Sequence, residues 1–218
     1  IMTTTTGGAA NVLGKLEDYL QTEWPELDVY LTSVTDHYAT ASICGPYSKK
    51  ILNKIIPDLD LSDENFPHMS FKEANIGNIQ CRIMRISFTG ELSYELNVQA
   101  SYGKDLWKKC IEAGKEFSIT PYGTETMHLL RAEKGFIIVG QDTDATMTPI
   151  DLQMDWIVSK KKYDFIGKRS LYRSDTIRED RKQLVGLITD NPDEVLEEGA
   201  QIIADINKSP IEMLGHVT

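Results

Sequence analysis

Positive charge is in short supply in this sequence. Against 33 Asp and Glu stand 23 Lys and Arg, a net charge of −10 over 218 residues. That balance argues against an extended nucleic-acid footprint and against a polybasic membrane patch. Lys160–Lys162 is a short basic run that reads as solvated surface. No apolar run is long enough to span a bilayer, and no signal-peptide pattern is present. The three cysteines (Cys44, Cys81 and Cys110) are an odd number, widely spaced, without CxxC. They read as reduced thiols of a cytoplasmic protein, and their spacing supports neither zinc nor an iron–sulfur cluster. Histidine is scarce too: His37, His68, His128 and His216 lie on separate elements with no linked Ser or Cys motif. GxSxG, the phosphate-binding loop and the dinucleotide fingerprint are all missing, as are internal repeats.

What is present is a chain that is 41% hydrophobic, enough for a sizeable core in one large or two small domains. Residues 3–6 are β-branched and strand-prone, and Gly7-Gly8 is a turn or a helix start. Val12, Leu13, Leu16, Tyr19 and Leu20 make the stripe of an amphipathic helix over 9–23 that Trp24-Pro25 stops. Residues 29–33 and 38–43 are expected to pair as a hairpin, with a short helix over 48–56. The acidic connector 57–67 lacks the EF-hand order and reads as a solvated loop. Residues 71–77 are expected to form a further turn. A helix over 102–116 is predicted to bury Leu106, Trp107, Cys110 and Ile111. Further on, residues 155–158, 184–189 and 200–203 read as strands and 165–173 as a short helix. Short strands alternate with helices early and the chain turns strand-rich late, which predicts an α+β fold with antiparallel sheets.

The stretch from Arg85 to Asp144 organises the rest. A strand over 79–88 turns at Gly90-Glu91 and returns with Leu92, Tyr94, Leu96 and Val98 on one face and Ser93, Glu95 and Asn97 on the other. On residue type alone, Glu95 belongs to a solvated strand face. A helix over 124–134 follows, startable by Thr124 and ended by Gly135, with Arg131 beside its apolar stripe. An unpaired guanidinium there is costly to desolvate, so Arg131 either reaches water or has an anionic partner. His128, one turn earlier, reads as structural. Asp142 and Asp144 share a polar loop, but two carboxylates without a third ligand do not make a metal site.

TGELSYEL (89–96), PYGTETMHLLRAEKG (121–135), GQDTD (140–144), Thr148-Pro149 and DFIGKRSL (164–171) occur in this order. Together they resemble the aminomethyltransferase (glycine-cleavage T-protein) family, and within it the C-terminal part of the alpha subunits of heterotetrameric sarcosine oxidases. TTTTGGAA (3–10) and MLGHVT (213–218) fit the same group, so the likeness covers nearly the whole chain. It implies ferredoxin-like α/β units over residues 1–180 and the start of a C-terminal β-barrel over 181–218. It also implies a tetrahydrofolate site serving one-carbon transfer, which captures the methyl-derived carbon of sarcosine as 5,10-methylenetetrahydrofolate.

By the same resemblance, the second Glu of the TGExxxE pattern, Glu95, accepts hydrogen bonds from the pterin edge. Phe88 stands where the motif often has Tyr, keeping a flat apolar face and losing a hydroxyl. Arg131 borders the pocket, and Tyr122 and Gln141 line it. The catalytic Asp of the family would lie upstream of Ile1. Flavin and NAD would sit elsewhere in a hetero-oligomer with the other sarcosine oxidase subunits. The chain opens directly in TTTT and closes in a strand-like GHVT, so a piece of a longer polypeptide is expected, inactive by itself. The competing reading is a non-catalytic folate-binding or subunit-interface module.

Overall fold

A computed structural model describes residues 1–218, the side chain of Thr6 excepted. The backbone divides into two compact units, Ile1–Lys134 and Gly135–Thr218.

In the first unit, α1 (Ala9–Thr22) is followed by β1 (Tyr38–Cys44), α2 (Ser48–Ile55), β2 (Phe71–Ile76), β3 (Ile79–Met84), β4 (Ser93–Gln99), α3 (Gly103–Gly114) and α4 (Thr124–Glu133). The strands form one antiparallel sheet in the order β1-β4-β3-β2. This is the α+β, antiparallel architecture expected from the sequence. One face of the sheet is the core. Ala41 and Ile43 of β1, Cys81 and Ile83 of β3, and Tyr94, Leu96 and Val98 of β4 are buried there with Ile51 and Leu52 of α2 and Leu106 and Cys110 of α3. The period of two in each strand sends the intervening residues to the opposite face.

Several expectations need correction. Residues 29–33 form no strand, and β1 is a sheet edge whose sole neighbour is β4. Residues 3–5 are not a strand either; a 3-10 turn (Thr6–Gly8) leads into α1. The expected turn at 71–77 is the strand β2, joined to β3 through Gly77 at a φ of 64°. As the outer edge strand, β2 has one neighbour and carries Lys72 and Glu73, a composition that hides strand character. The strand expected over 79–88 ends at Met84, leaving 85–92 as a longer connection to β4. Trp107 is 50% exposed because α3 buries the stripe defined by Leu106 and Cys110, four residues apart, and Trp107 falls outside it.

The second unit has little regular structure. Residues 155–158, expected as a strand, contain a 3-10 turn, and 184–189 form no strand. Within the expected helix 165–173 there is a 3-10 segment, Lys168–Tyr172. β5 (Gln201–Ile203) and β6 (Met213–His216) form a two-stranded antiparallel ribbon. The buried hydrophobic core described above lies entirely in the first unit, while the buried residues of the second are Asp142, Thr148 and Asp151.

Polar contacts therefore organise the second unit. Asp151 accepts from Arg181 Nε at 2.8 Å and Nη2 at 2.7 Å, a two-pronged ion pair. The same carboxylate accepts from the Thr148 backbone N–H at 2.7 Å and hydroxyl at 2.9 Å. Arg181 also donates to the Thr146 carbonyl and to Asp175. The Arg181 guanidinium holds the Asp151 carboxyl down at about 2, below its ordinary 3.8. A lowered folded-state value stabilises above the ordinary value and ceases to do so as pH falls through the folded one. Stability from this pair is thus expected to be complete above about pH 4 and to be lost toward pH 2, amounting to at most about 2 kcal/mol. Urea denaturation across that range checks it. Asp151→Asn should flatten the acid-side loss and cost about 2 kcal/mol or more at pH 7.

Candidate functional site

Glu95 is the anomaly on the sheet face away from the core. It sits in the middle of β4, the central strand that pairs with both β1 and β3. Its direct cross-strand neighbours are Ser42 on β1 and Met84 on β3. The side chain is half-buried, and burial pushes its carboxyl above the usual carboxylate value. This is not the fully solvated face that residue type suggests.

The side chains of Ser42, Asn97 and Arg82 on this face are committed to groups other than the Glu95 carboxylate. The Ser42 hydroxyl is hydrogen-bonded to the Ser93 hydroxyl at 3.1 Å. The Asn97 carbonyl oxygen accepts from Thr40 at 2.6 Å, while its amide nitrogen donates to the backbone carbonyls of Arg82 and Glu95. Arg82, two positions further along β3, donates to Glu73 at 2.6 Å and 3.2 Å. Among the described residues the Glu95 carboxylate makes no hydrogen bond or ion pair, so both its oxygens remain available as acceptors.

Of the other expected site residues, Tyr122, Phe88 and Arg131 belong to the same unit as this strand. Tyr122, just ahead of α4, places its hydroxyl 3.0 Å from Cys44 Sγ. Cys44 is opposite Ser93 in the β1–β4 register, and Ser93 shares the Glu95 face two residues away. The structure thus brings Tyr122 to the face that carries Glu95, at the end of the sheet where β4 begins. Burial raises the Tyr122 phenol well above its ordinary value, and the Cys44 hydrogen bond adds to the effect. The hydroxyl therefore stays protonated at neutral pH.

Phe88 lies in the 85–92 connection and is 46% exposed, so strand alternation does not set its direction. Gly90, in the same connection, has a φ of 79°, and a Cβ built there would come within 2.7 Å of Lys134 Cβ. That close approach sets the end of α4 against the turn before β4, a packing that requires glycine. Arg131, one helical turn before Lys134, is 7% exposed. It is buried in the fold instead of reaching out to water. Thr124 starts α4, but Gly123 occupies the cap position without a side-chain cap; Gly135 ends the helix at a φ of 76°. Gln141 belongs to the second unit, exposed on the polar loop that follows α4.

A cavity of about 660 Å³ lies over the same sheet face. Val12, Leu13 and Leu16 of α1 form its apolar wall, and Arg82, Met84 and Asn97 form part of its sheet side. It borders Glu95 through Met84 and Asn97, but neither Glu95 nor any other expected site residue lines it. The amphipathic stripe of α1 faces this cavity and is not fully buried anywhere along the helix. Among the described residues, no cluster of His, Cys, Asp and Glu is suited to hold a metal. Asp142, buried, accepts from the Ile138 backbone N–H, and Asp144 accepts from the backbone N–H and hydroxyl of Thr146.

Sequence reading missed two features. Cys44 reads in the sequence as a strand thiol, and its contact with Tyr122 spans 78 positions. Arg181 carries no local signal of its own, although Thr148-x-x-Asp151 has the short Ser/Thr-x-x-acid signature of a locally closed turn.

A mixed α+β unit with an antiparallel sheet that presents one unpartnered carboxylate on its open face is the class of site defined here. The chain matches the GCVT N-terminal domain family over residues 1–162 and belongs to that family. It is 55% identical over 206 residues to the sarcosine oxidase subunit alpha of Corynebacterium sp. (strain P-1), which covers 94% of this chain and 21% of that protein. It is 33% identical over 177 residues to the mitochondrial dimethylglycine dehydrogenase of Mus musculus, covering 81% of the chain and 20% of that protein. It is also 33% identical over 147 residues to the aminomethyltransferase of Thermoanaerobacter sp. (strain X514), covering 67% of the chain and 39% of that protein. The chain spans about a fifth of the length of the sarcosine oxidase relative.

The Glu95 geometry has a stability consequence. A raised folded-state value means that the fold disfavours the ionised form, so the cost of Glu95 grows as pH rises through the carboxylate range. Glu95→Gln is expected to melt at or above the wild-type temperature at pH 7. The two curves should converge below pH 4, as scanning calorimetry at both pH values would show.

Proposed function

We propose that this chain is the tetrahydrofolate-binding, one-carbon-transfer portion of a sarcosine oxidase alpha subunit. The observation that carries the reading is Glu95, a half-buried carboxylate without an internal partner on the central strand of the sheet. Leaving such a group uncompensated costs stability, and a ligand that donates to it recovers the cost. A reduced pterin fits the donor requirement, because its ring N–H and amino group lie on one edge and a single carboxylate accepts both. Glu95 would hold that edge, with Tyr122 beside it on the same face.

Phe88 would offer an apolar ring face to the ligand, and Arg131 a cation at the pocket border. When bound, tetrahydrofolate would supply the two nitrogens that take up the carbon of the imine formed by sarcosine oxidation, their two protons leaving with the released glycine, to give 5,10-methylenetetrahydrofolate. This chain's residues orient and bind; the proton-transferring Asp and the amine-oxidising centre with its flavin and NAD belong to other parts of the assembly. We read residues 1–180 as the ferredoxin-like folate region and 181–218 as the start of a β-barrel, working in the cytoplasm with the other sarcosine oxidase subunits. Among the described residues, no helix is long and apolar enough to cross a membrane.

The subunit-interface reading has its own support in Trp156, Tyr163 and Ile188, large side chains that the second unit leaves exposed. The two readings part at Glu95. Tetrahydrofolate titration of the intact polypeptide by calorimetry is expected to give binding that Glu95→Gln weakens by about 10-fold to 100-fold, the size of a lost charge-assisted bond. Equal binding by the variant would remove Glu95 as the acceptor. Absence of binding by both would favour the interface role.

A further inference from the structure

Tyr122 belongs to the irregular run between α3 and α4, yet its hydroxyl meets the sheet at a well-fixed point. Cys44 closes β1, and the next residue, Gly45, donates its backbone N–H to the Leu92 carbonyl at 2.9 Å. The Ser48 hydroxyl donates to the same carbonyl at 2.9 Å. These two bonds stitch the end of β1 to the start of β4, one residue ahead of Ser93. Cys44 is directly opposite Ser93, and strand geometry puts Glu95 about 7 Å further along the same face. The sulfur is thus a rigid anchor near the carboxylate.

We infer that Cys44 is a positioning residue for the ligand site: its 3.0 Å hydrogen bond to Tyr122 holds the phenol ring at the rim of the Glu95 face. This rests on the folate reading above. A ring already ordered before binding spares the ligand the entropy of ordering it. Without the sulfur, Tyr122, 39% exposed, can turn toward solvent. Cys44 is also chemically set apart from the other thiols. It is half-buried, whereas Cys81 and Cys110 are buried and their thiols are pushed up to about 12 and about 11. Of the three, Cys44 is the one open to an alkylating reagent.

The test is tetrahydrofolate binding by the intact polypeptide and by Cys44→Ala, Cys44→Ser, Tyr122→Phe and the Cys44→Ala/Tyr122→Phe double variant. Cys44→Ala and Tyr122→Phe are each expected to weaken binding by roughly three- to tenfold. The double variant should be no weaker than either single one, because both remove the same bond. Cys44→Ser, which keeps a hydrogen-bonding atom, should recover most of the loss, and saturating tetrahydrofolate should slow iodoacetamide labelling of the Cys44 peptide read by mass spectrometry. A merely structural role would produce neither the serine rescue nor the non-additivity. Wild-type binding with Cys44→Ala unchanged, or with losses that multiply in the double variant, would overturn the inference alone. Failure of the wild type itself to bind tetrahydrofolate would overturn the folate reading and this inference with it.

Discussion

Strand β4 must satisfy two opposite environments with one backbone. Its even-numbered residues, Tyr94, Leu96 and Val98, are at the centre of the core. Its odd-numbered residues, Ser93, Glu95 and Asn97, are on the other face. A slip of one residue against β1 or β3 would drive Glu95 into the core and expose Leu96, so the register is tightly specified. The placement of the unpartnered carboxylate is therefore enforced by the same burial that stabilises the fold. The core face fixes where Glu95 stands, and the commitments of Ser42, Asn97 and Arg82 leave it without a partner.

How much of this the sequence disclosed follows from the range of the interactions. The alternation in β4 and the amphipathic patterns of α1, α2 and α3 are local, and they were legible from residues alone. So was the end of α4 at Gly135. The edge strand β2 was not, because one sheet neighbour and one buried face leave a pattern interrupted by Lys72 and Glu73. Residues 29–33 misled in the other direction: their β-branched and aromatic composition suits a strand, but no strand among the described residues pairs with them. The Cys44–Tyr122 and Asp151–Arg181 contacts join residues 78 and 30 positions apart, beyond the reach of any local pattern. For the candidate site, residue periodicity gave Glu95 its face. Helical spacing marked Arg131 as a guanidinium beside an apolar stripe; the resemblance, not the spacing, singled out Glu95, Phe88, Tyr122 and Gln141 and gave all five their roles.

The two units carry their stability differently. The first depends on a continuous apolar layer between sheet and helices, so its tolerance to change is governed by volume. The second depends on the Asp151 clamp, whose worth varies with pH and which leaves large apolar side chains exposed.

The central claim is that Glu95 is held as an uncompensated acceptor for a donating ligand. Carbonyl-carbon NMR of the chain labelled with 13C-glutamate, with Glu95→Gln to assign the resonance, measures its titration directly. The account predicts a midpoint above that of an ordinary glutamate in the free protein and a fall below it on saturation with tetrahydrofolate. An ordinary midpoint that tetrahydrofolate leaves unmoved would contradict it.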